Sequence, residues 1–275
     1  MSELVALYDT LARFQSWRGG GLEMRKRLLP PTNGDAGPAD GGRAFDEWLF
    51  ARLDGRPAQR VLDLGCGFGA STQRWAMLGD GTAIGVTHSA VQITKATRAA
   101  RRAGLGDRCR FVQQDFTAPL PGPFDVVLAI EALGHANDLG TVLANVRSAL
   151  VPHGVFVWVE DVLAAPLPDD ADVAELARRW HSPPLRDVAT VRRALAAAGF
   201  PDVREHDLTA QVPFASADVL RRRATRLQRW RTFAPLPFVR RSIDAFLGGI
   251  ALERLYARSA ACYRVWMSER QSEGA

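Results

Sequence analysis

A chain of 275 residues, 47% of them hydrophobic, is long enough to bury a sizeable core and fits one large α/β unit or two small ones. Its net charge of +5 and pI near 9.6 come almost wholly from arginine, Lys26 and Lys95 being the only lysines. Such a bias is what a GC-rich genome produces, so the basicity is weak support for a polyanion, and no nucleic-acid partner is expected.

No run of about 18 apolar residues is present, and MSELVALYDT lacks the basic-then-apolar pattern of a signal peptide. A cytoplasmic protein is expected. Cys66, Cys109 and Cys262 are odd in number and far apart, which argues against a disulfide framework or a metal site.

In chain order, Leu4, Leu7, Tyr8, Leu11, Phe14 and Trp17 fall at helical spacing over residues 3–18, and Gly19-Gly20-Gly21 stops that helix. Residues 30–38 read as a turn-rich linker, a gate beside a site or a plain surface connection, and a second helix follows over about 44–53. From Arg60 onward strands and helices alternate. Strands are expected at 61–64, 83–87, 110–113, 125–130 and 155–159, with helices at 70–78, 89–103 (Ser89 as N-cap, Gly104 as stop) and 139–150, the last ended by Pro152-His153-Gly154. This alternation predicts a parallel sheet with helices on both faces.

Beyond Asp161 the spacing predicts helices over 171–180 and 187–198, a strand at 203–208, largely helical chain over 216–258, and a last strand at 262–267. The expected organisation is an N-terminal helical cap and linker (1–57), an α/β core (58–211), a helical lid (212–259), and the last core strand with a tail (260–275).

The chain is organised around Val61-Leu62-Asp63-Leu64-Gly65-Cys66-Gly67-Phe68-Gly69, a strand that breaks into three alternating glycines and opens a helix. A dinucleotide turn has G-x-G-x-x-G to seat a pyrophosphate, whereas Asp63, two positions before the first glycine, would repel one and suits a cationic amino-acid ligand. D-L-G-C-G-F-G resembles motif I of the class I S-adenosylmethionine-dependent methyltransferases. The resemblance covers about residues 58–161 closely and the rest by layout. It implies a seven-stranded, mostly parallel, Rossmann-like sheet closed by an antiparallel hairpin.

The resemblance also implies roles. Gly65, Gly67 and Gly69 would let the methionine moiety of S-adenosylmethionine approach the backbone, and Asp63 would orient its amino group. The second strand ends in Thr87 where many members have an acid, and Gly85-Val86-Thr87-His88-Ser89-Ala90-Val91-Gln92 is similar to the version found in methyltransferases of lipids and small molecules, including sterol, tocopherol and prenyl diphosphate methyltransferases. There Thr87, His88 and Gln92 would meet the ribose, Gln92 otherwise being a solvated first-turn residue. Asp115 would accept from the adenine amino group and Phe116 would cover the ring, and a turn-capping role for Asp115 stays open. Ile130 belongs to the same rim.

For chemistry, Ile130-Glu131-Ala132-Leu133-Gly134-His135-Ala136 is similar to a segment of sterol-type and sugar O-methyltransferases, and Glu160-Asp161 ends the fifth strand. Two reactions fit. With a hydroxyl acceptor, His135 would take the proton with Asp161 orienting it; with an alkene, Glu131, Glu160 and an aromatic such as Tyr8 or Trp17 would stabilise a carbocation. The bland alternatives are that His135 caps the next helix and that Glu160-Asp161 is a solvated strand end.

The lid is rich in arginine, from Arg221 to Arg258, which suits an anionic head on an apolar tail such as a prenyl diphosphate, a membrane headgroup, or a simple solvated face. C-methylation of a small lipophilic isoprenoid is placed ahead of O-methylation of a hydroxylated natural product or sugar. A non-catalytic cofactor-binding scaffold is the reading from another class. A strict cyclopropane synthase is disfavoured, no metal is assigned, and a homo-oligomer is left open.

Overall fold

The computed structural model describes residues 5–7, 9–10, 25–30, 37–38 and 41–272. Residues 5–7 and 9–10 are helical, and Tyr8, Trp17 and most of the expected linker lie outside the described residues. Helix α1 (Gly42–Ala51) precedes β1 (Arg60–Leu64), α2 (Ala70–Leu78), β2 (Thr82–Thr87), α3 (Ala90–Arg102), β3 (Cys109–Gln113), β4 (Phe124–Ile130), α4 (Leu139–Ala149) and β5 (Leu150–Leu163). Then come α5 (Ala171–Trp180), α6 (Val188–Ala197), β6 (Val203–Asp207), α7 (Ala217–Phe233), α8 (Pro237–Ala257) and β7 (Ala261–Glu269).

The seven strands form one sheet in the order β3-β2-β1-β4-β5-β7-β6, parallel except for β7, which runs antiparallel to both its neighbours. Chain order reverses between β1 and β4, and in open α/β sheets the crevice at such a switch point is where ligands bind. Alternate residues of one strand serve opposite faces. Val126 and Leu128 of β4 pack with Leu49, Trp75 and Leu255 from α1, α2 and α8, while Val127 and Ala129 pack with Val142, Val146 and Leu195 from α4 and α6. This is the Rossmann-like, seven-stranded, mostly parallel fold that the spacing and the resemblance predict.

Most boundaries fall within two residues of expectation. The largest difference is β5, which starts at Leu150, five residues before the expected 155: Leu150 pairs with Phe124, the register then shifts, and Val126 meets Val155. Pro152, His153 and Gly154 therefore form an irregularity within a 14-residue strand and not a free turn. Helices α7 and α8 lie between β6 and β7 and share a small apolar seam of Leu220, Ala224, Ile243, Leu247 and Ile250.

The segment 25–30 is anchored by charge. Asp46 of α1, fully buried, accepts from Arg25 Nη1 at 3.1 Å and Nη2 at 2.9 Å, from Trp75 Nε1 at 3.1 Å, and from Arg74. Gln211 fixes the other end, its Nε2 donating to the Leu29 carbonyl at 2.6 Å and its own carbonyl accepting from Leu29 N at 2.7 Å. The segment is thereby held at the carboxyl end of the sheet.

Candidate active site

The turn after β1 is forced by its glycines. Gly65, Gly67 and Gly69 have φ of 74°, 53° and 77°, a region that side chains disfavour, and a Cβ on Gly65 would sit 2.5 Å from the Ala132 Cβ. Gly65 N and Cys66 N both donate to the Val86 carbonyl, at 2.9 and 3.0 Å, which lashes the turn to β2. At Gly69 a Cβ would meet the Phe111 ring at 2.5 Å. Gly69→Ala is accordingly expected to lower stability by about 1–3 kcal/mol, read from the urea midpoint.

Asp63 is buried, and its Oδ2 accepts from Thr72 Oγ1 at 2.6 Å. Burial pushes its carboxyl up to about 7. Such a group gains most from a cation brought beside it.

At the end of β2, Thr87 Oγ1 donates to Gln92 Oε1 at 2.6 Å and both residues are buried, so Gln92 is an internal brace and not a solvated residue. Ser89 caps α3, accepting from Gln92 N at 3.1 Å, and its hydroxyl also donates to Asp9, which ties residues 9–10 to the rim. The His88 ring stands 5.5 Å from that of Phe116. Asp115 is exposed; its Oδ1 accepts from Thr117 N and Oγ1 at 2.8 and 2.7 Å, and these bonds hold its carboxyl below the ordinary value. A turn cap is thus what its own chain makes of Oδ1.

The ends of β4 and β5 bring three acids together. Glu131 has φ of 52°, unusual for a residue with a side chain, and its carboxylate accepts from Lys26 N at 3.0 and 3.1 Å and from Tyr263 Oη at 2.7 Å. Asp161 accepts from Lys26 Nζ at 2.6 Å and from Tyr256 Oη. Glu160 Oε2 accepts from Gly134 N at 2.8 Å and, at 3.4 Å, from Trp158 Nε1. Glu160 and Asp161 are buried, so this is no solvated strand end.

Burial, with the Asp161 charge next, raises the Glu131 carboxyl and takes that of Glu160 up to about 8. A carboxyl raised in this way stabilises the folded chain in its protonated form. For Glu160 that contribution is complete below about pH 4.5 and is lost as pH rises through about 8. The melting temperature of the ligand-free protein should therefore fall across this interval, and Glu160→Gln should flatten the fall.

His135 lies in a short turn at 133–135, held by Arg186, whose Nη1 donates to the Leu133 carbonyl at 3.2 Å and whose Nη2 donates to that of Ala136. It is not the helix cap: Asp138 caps α4, accepting from Thr141 N at 3.0 Å. Burial and the nearby Arg186 charge bring the imidazole down to about 4.

One cavity of about 1140 Å³ brings together Asp63, Gly65, Gly67, Thr87, His88 and Gln92, and also Asp115, Phe116, Ile130, Glu131, His135, Glu160 and Asp161. Gly69 stands just outside its lining, and Tyr8 lies outside the described residues. Lys26, Tyr256 and Tyr263 were not singled out by the sequence, yet they stand behind the acids, with Lys26 Nζ 4.5 and 5.3 Å from the two ring centres.

A family model described as a methyltransferase domain matches residues 56–209, more than half of the chain. The chain belongs to this family. The methyltransferase is 30% identical over 178 residues to a cycloartenol-C-24-methyltransferase of Arabidopsis thaliana, covering 62% of this chain and 53% of the relative. It is 31% identical over 184 residues to a sterol 24-C-methyltransferase of Gibberella zeae, covering 62% and 48%. The chain spans about half the length of these curated relatives. Among solved structures, the geranyl diphosphate C-methyltransferase of Streptomyces coelicolor A3(2) superposes with a TM-score of 0.66 at 16% identity, covering 98% of this chain and 96% of that one.

That neighbour was solved with S-adenosyl-L-homocysteine, the demethylated form of S-adenosylmethionine. The rim fits it: three left-handed glycines keep side chains away from the turn, a buried carboxyl lies beneath it, and an aromatic side chain lines the far end.

Proposed function

We propose that this methyltransferase alkylates a carbon of an isoprenoid and that the acids of β4 and β5 serve the resulting cation. What carries this reading is the gathering of Glu131, Glu160 and Asp161 in one largely apolar cavity with Lys26 as their basic neighbour. Preorganised negative charge in a dry site is worth most where positive charge develops, and an alkene that gains a methyl becomes a carbocation. The relatives and the structural neighbour are C-methyltransferases by name, acting on cycloartenol, sterol or geranyl diphosphate, all of them isoprenoids.

When bound, S-adenosylmethionine supplies an electrophilic methyl group. Gly65, Gly67 and Gly69 would present bare backbone to its amino-acid end, Asp63 would hold the amino group, Thr87, His88 and Gln92 would meet the ribose, and Asp115, Phe116 and Ile130 would border the adenine. The acceptor's π electrons would form the new carbon–carbon bond to the methyl as its bond to sulfur breaks, so that neutral S-adenosylhomocysteine leaves and the positive charge passes to the acceptor. Glu131 and Asp161 stabilise the cationic carbon, and Glu160, which also lines the cavity, removes the proton that restores an alkene. Arg223 and Arg226 of α7 also line the cavity and suit a diphosphate head. O-methylation with His135 as base is less favoured, because an imidazole near 4 is a weak acceptor and Asp161 is engaged by Lys26 and Tyr256.

Incubation with labelled S-adenosylmethionine and a panel of prenyl diphosphates, sterols and hydroxylated aromatics tests the reading. A labelled methyl on carbon, in a product heavier by one methylene, is expected. Label only on a hydroxyl oxygen, or only on nucleic acid, would overturn it; absence of cofactor binding by calorimetry would leave a non-catalytic scaffold.

A further inference from the structure

The helical pair α7–α8 carries a surface that the reaction does not use. Residues 216–241 hold eight arginines against a single acid, Asp218. On α7, Leu220, Ala224 and Leu227 face inward and Arg231 turns to Asp244, at 2.7 Å. Arg222, Arg229 and Phe233 recur at i, i+7 and i+11 on the opposite face, all exposed.

Arg222, Arg229 and Arg241 have no ion-pair partner among the described residues. The end of α7, the connection and the start of α8 add large apolar side chains: Trp230 is 66% exposed, Phe233 83%, Leu236 49% and Phe238 52%. Aromatic and aliphatic side chains this open, gathered at one tip and ringed by uncommitted arginines, mark an interaction surface.

We propose that the tip of the α7–α8 pair docks on the surface of an anionic lipid bilayer. Charge selects this occupant. The arginines match anionic phosphate headgroups, while Trp230, Phe233, Leu236 and Phe238 reach the boundary between headgroups and acyl chains, where amphipathic rings are favoured. A nucleic-acid backbone would use the arginines but leave the aliphatic tip in water. A second copy paired about a two-fold axis would bring arginines against arginines. The same helix lines the cavity through Arg223, Arg226 and Leu227, so docking sets the cavity beside the lipid phase. Uptake of a lipophilic acceptor from the membrane rests on the isoprenoid reading, whereas docking itself does not.

Sedimentation of the full chain with vesicles, with neither cofactor nor acceptor added, tests this. The expected result is binding to mixed phosphatidylglycerol and phosphatidylcholine vesicles, at least about 10-fold stronger than to phosphatidylcholine alone and weakened by salt. Arg222→Glu/Arg229→Glu and, separately, Trp230→Ser/Phe233→Ser should each reduce binding about 10-fold or more, with thermal melts matching the parent. The proposal is overturned if anionic vesicles do not bind, or if neither pair of substitutions changes binding. It is equally overturned if the substitutions abolish a dimer in vesicle-free solution, or if oligonucleotides bind and vesicles do not.

Discussion

Glu160→Gln is expected to lower kcat by about 100- to 10,000-fold, the range of general base catalysis, while KM for the acceptor changes little. The amide keeps an oxygen for the Gly134 N–H, so the loss would report the proton acceptor and not the loop. The parent should gain kcat/KM as pH rises through about 8, where burial places the Glu160 carboxyl, because only the ionised form takes a proton. In the variant that rise should be absent. Turnover near the parent's level, with the pH profile unchanged, would move the base elsewhere in the acidic cluster.

Asp63→Asn should weaken S-adenosylmethionine binding about 30-fold or more, the usual cost of removing one member of a buried charge pair. Stability should move the other way or not at all. Among the described residues this buried carboxyl has a hydroxyl donor from Thr72 alone, so an uncharged isostere relieves a desolvation cost while keeping the side chain's shape. Calorimetric titration paired with a urea curve separates the two effects. A variant that binds normally, or one that merely unfolds, would deny Asp63 its part in holding the amino group.

Much of the framework was legible in the sequence because it is local. The glycine turn, the Ser89 cap and the alternation of strand and helix each rest on neighbours within a few positions, and the sheet order follows from the layout they imply. Strand β5 extends beyond its sequence signal because Pro152-His153-Gly154 has turn composition, whereas its pairing is decided by Phe124 across the sheet. The acids of the site were visible; their partners were not. Lys26 reaches Glu131 and Asp161 across 105 and 135 positions, and no spacing rule spans such distances. A faint signal existed, since Lys26 is one of two lysines in a chain otherwise committed to arginine, and Tyr256 and Tyr263 are two of its three tyrosines.

The strap at residues 25–30 bears on how this protein should be trimmed for study. A fragment cut to the family-matched stretch, 56–209, would keep the glycine turn and all three acids yet shed Lys26, Tyr256 and Tyr263. Glu131 and Asp161 would then lose every one of these described donors and repel one another with no ammonium between them. Expression boundaries drawn around the recognisable core would thus yield a body with the right outline and a chamber of altered charge.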